Sequence, residues 1–101
     1  MTEYILFMHD DTTSPTSDAA WERYFEFLAS TGAFEGGSSI GGGTCARRDG
    51  APRELTPRIA GFIRVRAQSL EDARRFLDGN PVHETGGTVE IRELPRTEAH
   101  L

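Results

Sequence analysis

The sequence predicts an α+β domain of the ferredoxin-like class, with the element order βαββαβ. Three observations support this prediction: an apolar strand pattern at residues 4–8, an amphipathic helix pattern at 18–31, and a second strand–helix–strand pattern over 59–94. Two βαβ halves with right-handed crossovers interleave into one antiparallel sheet of strand order 4-1-3-2. Both helices then lie on one face of the sheet. We expect a single domain over residues 1–95 and a C-terminal tail over 96–101.

The first strand and the first helix have the clearest patterns. From Glu3 to His9 the apolar residues do not alternate with polar ones, which predicts a central strand covered on both faces. Ser14 or Ser17 can cap the helix over 18–31. Its apolar side chains recur at helical spacing on one face, and they are Trp21, Tyr24, Phe25 and Leu28. Gly32 is placed to end the helix in a left-handed turn.

The stretch from Ala33 to Arg48 contains five glycines. It predicts a weak, bulged edge strand that continues through residues 44–48, with Cys45 as an ordinary strand residue. Asp49-Gly50 indicates a tight turn. Residues 53–58 then return toward the sheet, although two prolines limit their use as an interior strand.

The second half repeats the order of the first. Residues 59–67 predict a strand, and Ser69 to Asp72 resembles a capping box that starts a helix running to about Asp78. Gly79 ends that helix, and Pro81 prevents its continuation. Residues 87–94 predict the last strand.

Composition excludes several classes of function. A formal net charge of -5 disfavours nucleic acid as a partner. The single cysteine allows no internal disulfide and indicates a reducing cytoplasm. The short apolar run near the N-terminus predicts neither a signal peptide nor a membrane span. The histidines and Cys45 have no metal-ligand spacing, and the glycine run lacks a P-loop context, so we expect no metal and no cofactor.

The apolar first strand also predicts a partner. The helices cover one face of the sheet, so the other face would expose a sizeable apolar patch. A second copy packed face to face would cover it with two-fold symmetry, which gives a homodimer. The alternative is a monomer whose tail or glycine-rich segment covers that face.

Two groups of residues are candidates for chemistry. His9 and Asp11 close the first strand, where a histidine oriented by a carboxylate can act as a general base. Alternatively, they simply begin a polar loop.

The second group lies on the strands that flank the first. Its members are Arg64, Arg66, Glu90 and Arg92, and in the predicted strand order all of them point away from the helices. They would line a cavity between two sheets of a dimer and hold a small anionic or polar aromatic ligand through arginine forks. His83 could complete the rim of this pocket. The alternative is a set of interfacial ion pairs.

Several segments resemble the YCII-related family: residues 4–10, the helix up to Gly32, Gly61-Phe62-Ile63, residues 67–73 and residues 86–94. The resemblance covers most of residues 3–95 and implies a dimeric ferredoxin-like α+β barrel of mostly unassigned function. Two features of that family are missing. No residue of the first helix is a histidine, and residues 49–52 read Asp-Gly-Ala-Pro, without the Asp-Gly-Pro-Phe motif.

Three hypotheses of function follow, in order of preference. The first is a dimer that binds a small polar or anionic molecule at the sheet face. The second is an interaction or regulatory module whose dimer face is its whole function. The third is an acid–base enzyme, of lyase or hydrolase type, with His9 as its base and the arginines as its anion clamp.

Overall fold

The computed structural model describes residues 1–95 as a four-stranded antiparallel sheet with helices packed on one face. The elements in chain order are β1 (Thr2–His9), α1 (Asp18–Thr31), β2 (Phe34–Ser39), β3 (Ile59–Ala67), α2 (Leu70–Ala73), α3 (Pro81–Glu84) and β4 (Val89–Leu94). A 3-10 turn over Arg74–Leu77 directly follows α2. The sheet order is β2-β3-β1-β4, which confirms the predicted order. The predicted tail over 96–101 lies outside the described residues.

Strand β1 is central, as its apolar run predicts. It pairs with β3 on one side and with β4 on the other, so that Leu6 lies opposite both Ile63 and Ile91. Alternate residues Tyr4, Leu6 and Met8 are buried beneath the helices. The intervening residues of β1 therefore face the opposite side of the sheet.

Helix α1 has the predicted bounds because both of its ends are capped. The Ser17 side chain accepts a hydrogen bond from the Ala20 amide at 3.1 Å, and Gly32 ends the helix with a φ of 71°. Tyr24 and Leu28 are buried against the sheet. The Tyr24 hydroxyl also donates a 2.6 Å hydrogen bond to the Phe76 carbonyl, which ties α1 to the segment after α2.

Strand β2 is the short, bulged edge strand that the glycines predict. Its pairing with β3 shifts between Phe34 and Gly36, where Gly36 has a φ of 114°. Gly37 lies so close to β3 that a β-carbon there would overlap the Phe62 carbonyl and lie 3.0 Å from the Ile63 α-carbon. A residue with a side chain at position 37 would push the two strands apart.

The predicted continuation of this strand is wrong. Pairing stops at Ser39, and residues 40–58, which we call the arm, contain no strand. Three consecutive glycines disfavour pairing as an extended strand. Pro52 and Pro57 have no backbone N–H to donate to a neighbouring strand. Cys45 is thus a half-buried residue of the arm, and it does not lie in a strand.

The second helical region also differs from its prediction. Helix α2 is capped by Ser69, but it passes into a 3-10 turn after Ala73 and does not continue as an α-helix to Asp78. A separate short helix, which the sequence did not predict, begins at Pro81. Asn80 caps α3 by accepting hydrogen bonds from the Val82 and His83 amides, and proline is favoured at a first helical position because its missing N–H is not needed there.

Candidate functional site

The sheet face opposite the helices, which we call the open face, brings together most of the predicted site residues. The strand register places Ile5 opposite both Arg64 and Arg92, and Phe7 opposite both Phe62 and Glu90. Directly opposite residues of antiparallel strands point to the same side of a sheet. The predicted clustering of the arginines and Glu90 on one side of the sheet thus follows from the register.

The centre of the open face is apolar. Ile5, Phe7 and Phe62 are half-buried, although none of them lies beneath a helix. They form a strip with charged side chains on both of its sides, because Arg64 of β3 and Arg92 of β4 both lie beside Ile5. Because they are only half-buried, a surface packed on this face would bury more of them.

The two arginines of β3 that lie beside the strip are paired with carboxylates. Arg64 Nε lies 2.7 Å from Glu3 Oε1. Arg66 pairs with Glu35 and also donates to the Gly32 carbonyl at 2.6 Å. These pairs neutralise most of the positive charge that the arginines bring to the face, and an anion would bind only through donors that the carboxylates do not use.

The β4 side of the strip carries a linked set of three side chains. His9 Nε2 lies 3.1 Å from Glu90 Oε1, and Arg92 Nη1 lies 3.2 Å from Glu90 Oε2. The hydrogen bond from His9, and then that from Arg92, lower the pKa of the Glu90 carboxyl below its ordinary value. Glu90 therefore remains ionised and holds the imidazole in one orientation.

This arrangement determines which nitrogen of His9 could act as a base. A carboxylate only accepts hydrogen bonds, so the contact with Glu90 requires a proton on Nε2. In the neutral ring the lone pair is then on Nδ1. The His9 side chain is only 12% exposed, which restricts access by water. A carboxylate-oriented imidazole of this kind is suited to proton transfer.

Asp11 has partners other than His9. One carboxylate oxygen accepts a hydrogen bond from the Thr88 amide at 2.8 Å, and the other accepts one from the Thr88 hydroxyl at 2.7 Å. The bond from that hydroxyl, followed by the bond from the amide, lowers the pKa of Asp11. Asp11 therefore fastens the start of β4 to the end of β1, and Glu90 occupies the position beside the imidazole.

His83 lies apart from the open face. It is an exposed residue of α3, a helix in which Val82 packs into the core, and its Nδ1 is 3.9 Å from the Glu84 carboxylate. The structure thus brings His9, Arg64, Arg66, Glu90 and Arg92 to one face, and places His83 elsewhere; Asp11 lies near His9 but bonds to Thr88.

A cleft on the helix side escaped the sequence analysis. It has a volume of about 470 Å³ and lies between α1 and the β2–β3 edge, and its lining includes Met8, Trp21, Phe25, Ser39, Gly61 and Val82. The small residues Ser39 and Gly61, which lie opposite one another in the β2–β3 pairing, leave this space open. The sequence feature that could have predicted this cleft is the edge strand rich in glycine and serine, which lies beside two aromatic residues of α1.

The described residues give no indication of a metal or a membrane. Across residues 1–95, no group of three or more histidine, cysteine, aspartate or glutamate side chains is arranged to hold a metal ion. No helix in this part of the chain is both long and apolar enough to cross a bilayer.

Comparison of the chain with protein-family models finds no match, and comparison with curated proteins finds none either. The candidate function therefore rests on the residues themselves.

Proposed function

We propose that this chain is a homodimeric, YCII-like protein that binds a small polar or anionic molecule at the open face. The observation that supports this function is the apolar strip of Ile5, Phe7 and Phe62 with polar, ion-paired side chains on both of its sides. Binding sites for small molecules combine apolar walls with a few placed polar groups. The open face has both components.

Face-to-face packing of two copies would convert this exposed surface into a cavity. The two strips would cover one another, while the longer arginine and glutamate side chains would keep the ends of the sheets apart. The dimeric α+β barrel expected from the YCII-like resemblance has this arrangement. In it, each copy contributes the same residues to a shared, two-fold symmetric site.

The arginines retain donors for a ligand. A guanidinium carries five N–H donors, and the Arg64 contact with Glu3 uses Nε while the Arg92 contact with Glu90 uses Nη1. The side chain of Arg92 is also 67% exposed. A carboxylate or phosphate could therefore bind to the remaining N–H groups while the ion pairs persist.

Binding can be tested with two simple anions, benzoate and inorganic phosphate. In amide NMR titrations of the whole chain, we expect shifts at residues of β1, β3 and β4, and these shifts should be absent in Arg64→Ala. Arg74→Ala is the matched control, because Arg74 is an exposed arginine of the 3-10 turn on the helix side. Equal shifts in the two variants would refute an arginine-lined ligand site.

One observation favours a second candidate, an acid–base enzyme. The contact between His9 and Glu90 supplies an oriented imidazole beside the apolar strip. With p-nitrophenyl acetate as the probe substrate, we expect hydrolysis above the buffer rate that is lost in His9→Ala and kept in His83→Ala. The same rate in both variants would exclude His9 as the base. If the anions do not bind at the open face and the ester is not hydrolysed there, the interaction-module hypothesis is the one that remains.

A further inference from the structure

The arm is the most exposed part of the described chain. Every residue from 40 to 58 is exposed except Cys45, and the large apolar side chains of Ile40 and Leu55 are 40% and 46% exposed. Backbone hydrogen bonds from Ile40 to Ala60 and from Asp10 to Arg58 close its base. Within residues 1–95, no backbone bond ties positions 41–57 to the sheet. The arm thus presents apolar side chains on a segment that does not pack into its own core.

The arm is long enough to reach another molecule. Each half contains about nine residues and can span about 30 Å when extended. The shortest principal extent of the chain is 19 Å, and its radius of gyration of 15.2 Å exceeds the value of about 13 Å typical of a compact domain this size. An arm of this length can pass the edge of a second copy and reach its helix layer.

The outer side of α1 is the surface that complements the arm. Its shallow groove is lined by Asp18, Trp21, Glu22, Phe25, Glu26 and Ala29. Trp21 and Phe25 stack with a ring separation of 5.7 Å and also line the cleft beside β2. Phe25 remains 38% exposed. The groove therefore combines aromatic surface with a row of carboxylates.

The charges of the two segments are opposite. The arm carries four arginines and two carboxylates, a net charge of +2, although the chain as a whole is at -5. Helix α1 carries three carboxylates and one arginine, a net charge of -2. Opposite charges on facing surfaces favour association and select the register of the contact.

We propose that the arm of one chain docks on α1 of a second copy of the same chain, with Leu55 against Trp21 and Phe25. The arginines of the arm then face the carboxylates of the groove. Because every chain carries both an arm and a groove, a two-fold dimer forms this contact twice. The inference rests on the proposed homodimer and adds to it a clasp outside the sheet interface.

The lone cysteine of the arm provides a direct test. Cys45 is labelled with a benzophenone maleimide, equal amounts of ¹⁵N-labelled and unlabelled chain are mixed, and the dimer is irradiated. We expect cross-links from Cys45 to residues 18–29 that join a heavy chain to a light one. If Cys45 cross-links to α1 only within one chain, the arm is a lid over its own cleft and the proposal is overturned. The absence of any cross-link to α1 would also overturn it.

A matched pair of variants tests the apolar part of the contact. Leu55→Ser should raise the dissociation constant of the dimer by about tenfold or more, since two buried leucine contacts are lost. Leu70→Ser should leave it unchanged, because Leu70, a leucine at least as exposed as Leu55, lies on α2 outside the proposed contact. Light scattering separates the two proposals. A dimer without heavy–light links to α1 overturns only the clasp, whereas a monomeric wild-type chain overturns both.

Discussion

At the residue scale, Tyr24 connects core packing to pH. Its hydroxyl bonds to the Phe76 carbonyl, and burial raises the pKa of Tyr24 from 10.0 to about 12. The folded state therefore holds the phenol proton more tightly than the unfolded chain does. The stability contributed by this proton is complete below pH 10 and is lost as the pH rises toward 12.

Replacing Tyr24 with phenylalanine should show both effects. At pH 7 we expect Tyr24→Phe to lower the free energy of unfolding by about 1 kcal/mol, the net value of one hydrogen bond. Between pH 10 and 12 the wild type should lose about 2 kcal/mol more than the variant. Urea denaturation across this range measures the difference. Parallel curves would show that Tyr24 does not titrate in that window.

Asp11 should act in the acid range. Its pKa is lowered by the Thr88 hydrogen bonds, so its contribution to stability is present above about pH 4 and is lost as the pH falls through the lowered pKa. We expect Asp11→Asn to have a lower Tm than the wild type at pH 7, and the gap to close in acid.

Asp10→Asn is the control for that measurement. Its carboxylate accepts no hydrogen bond from residues 1–95, so its Tm should match the wild type throughout. If Asp10→Asn behaves like Asp11→Asn, the effect comes from net charge and not from the bonds to Thr88.

The sequence identified which residues belong to the candidate site, but it did not identify their hydrogen-bond partners. Alternation along β1 identified His9 and suggested Asp11 as the carboxylate beside it. The structure instead gives His9 the carboxylate of Glu90, which is 81 positions away. That contact depends on Phe7 lying opposite Glu90, and the pairing register of β1 and β4 cannot be read from either strand alone.

At the element scale, Gly37 controls the attachment of the edge strand. Since a β-carbon at this position overlaps β3, Gly37→Ala should separate β2 from β3 and lower the free energy of unfolding by about 1–3 kcal/mol. Gly42→Ala is the control, because a β-carbon there meets no atom within 4 Å. Thermal unfolding of both variants measures the contrast. Equal Tm values would show that the strands tolerate the added methyl group.

Elements with strong apolar patterns were predicted well. The bounds of β3 and α1 agree with the structure, and β1 occupies the predicted central position. The arm and α3 were missed because glycine and proline each favour several structures. A proline inside a helix ends it, whereas a proline directly after a capping residue can start a helix. Pro81 follows the capping residue Asn80 and starts α3.

At the scale of the whole molecule, the proposed homodimer depends on the open face. We expect light scattering to give about twice the chain mass of 11.1 kDa. Phe7→Glu should shift the mass toward that of one chain, because it places a carboxylate in the apolar strip beside Glu90. Leu70→Glu is the control on the helix side and should keep the dimer. A variant Phe7→Glu that remains dimeric would show that the interface lies elsewhere.

The two outer strands have a consequence for how the protein avoids aggregation. An unpaired strand edge is a template for further strands, and a row of such additions grows into a fibril. On one side the bulge at Gly36 bends β2, and on the other Pro95 follows β4 directly and cannot donate to another strand. Growth by edge addition is thus disfavoured at both borders of the sheet. In the proposed homodimer, we expect association through the open face to end at two copies, because the two faces then cover one another.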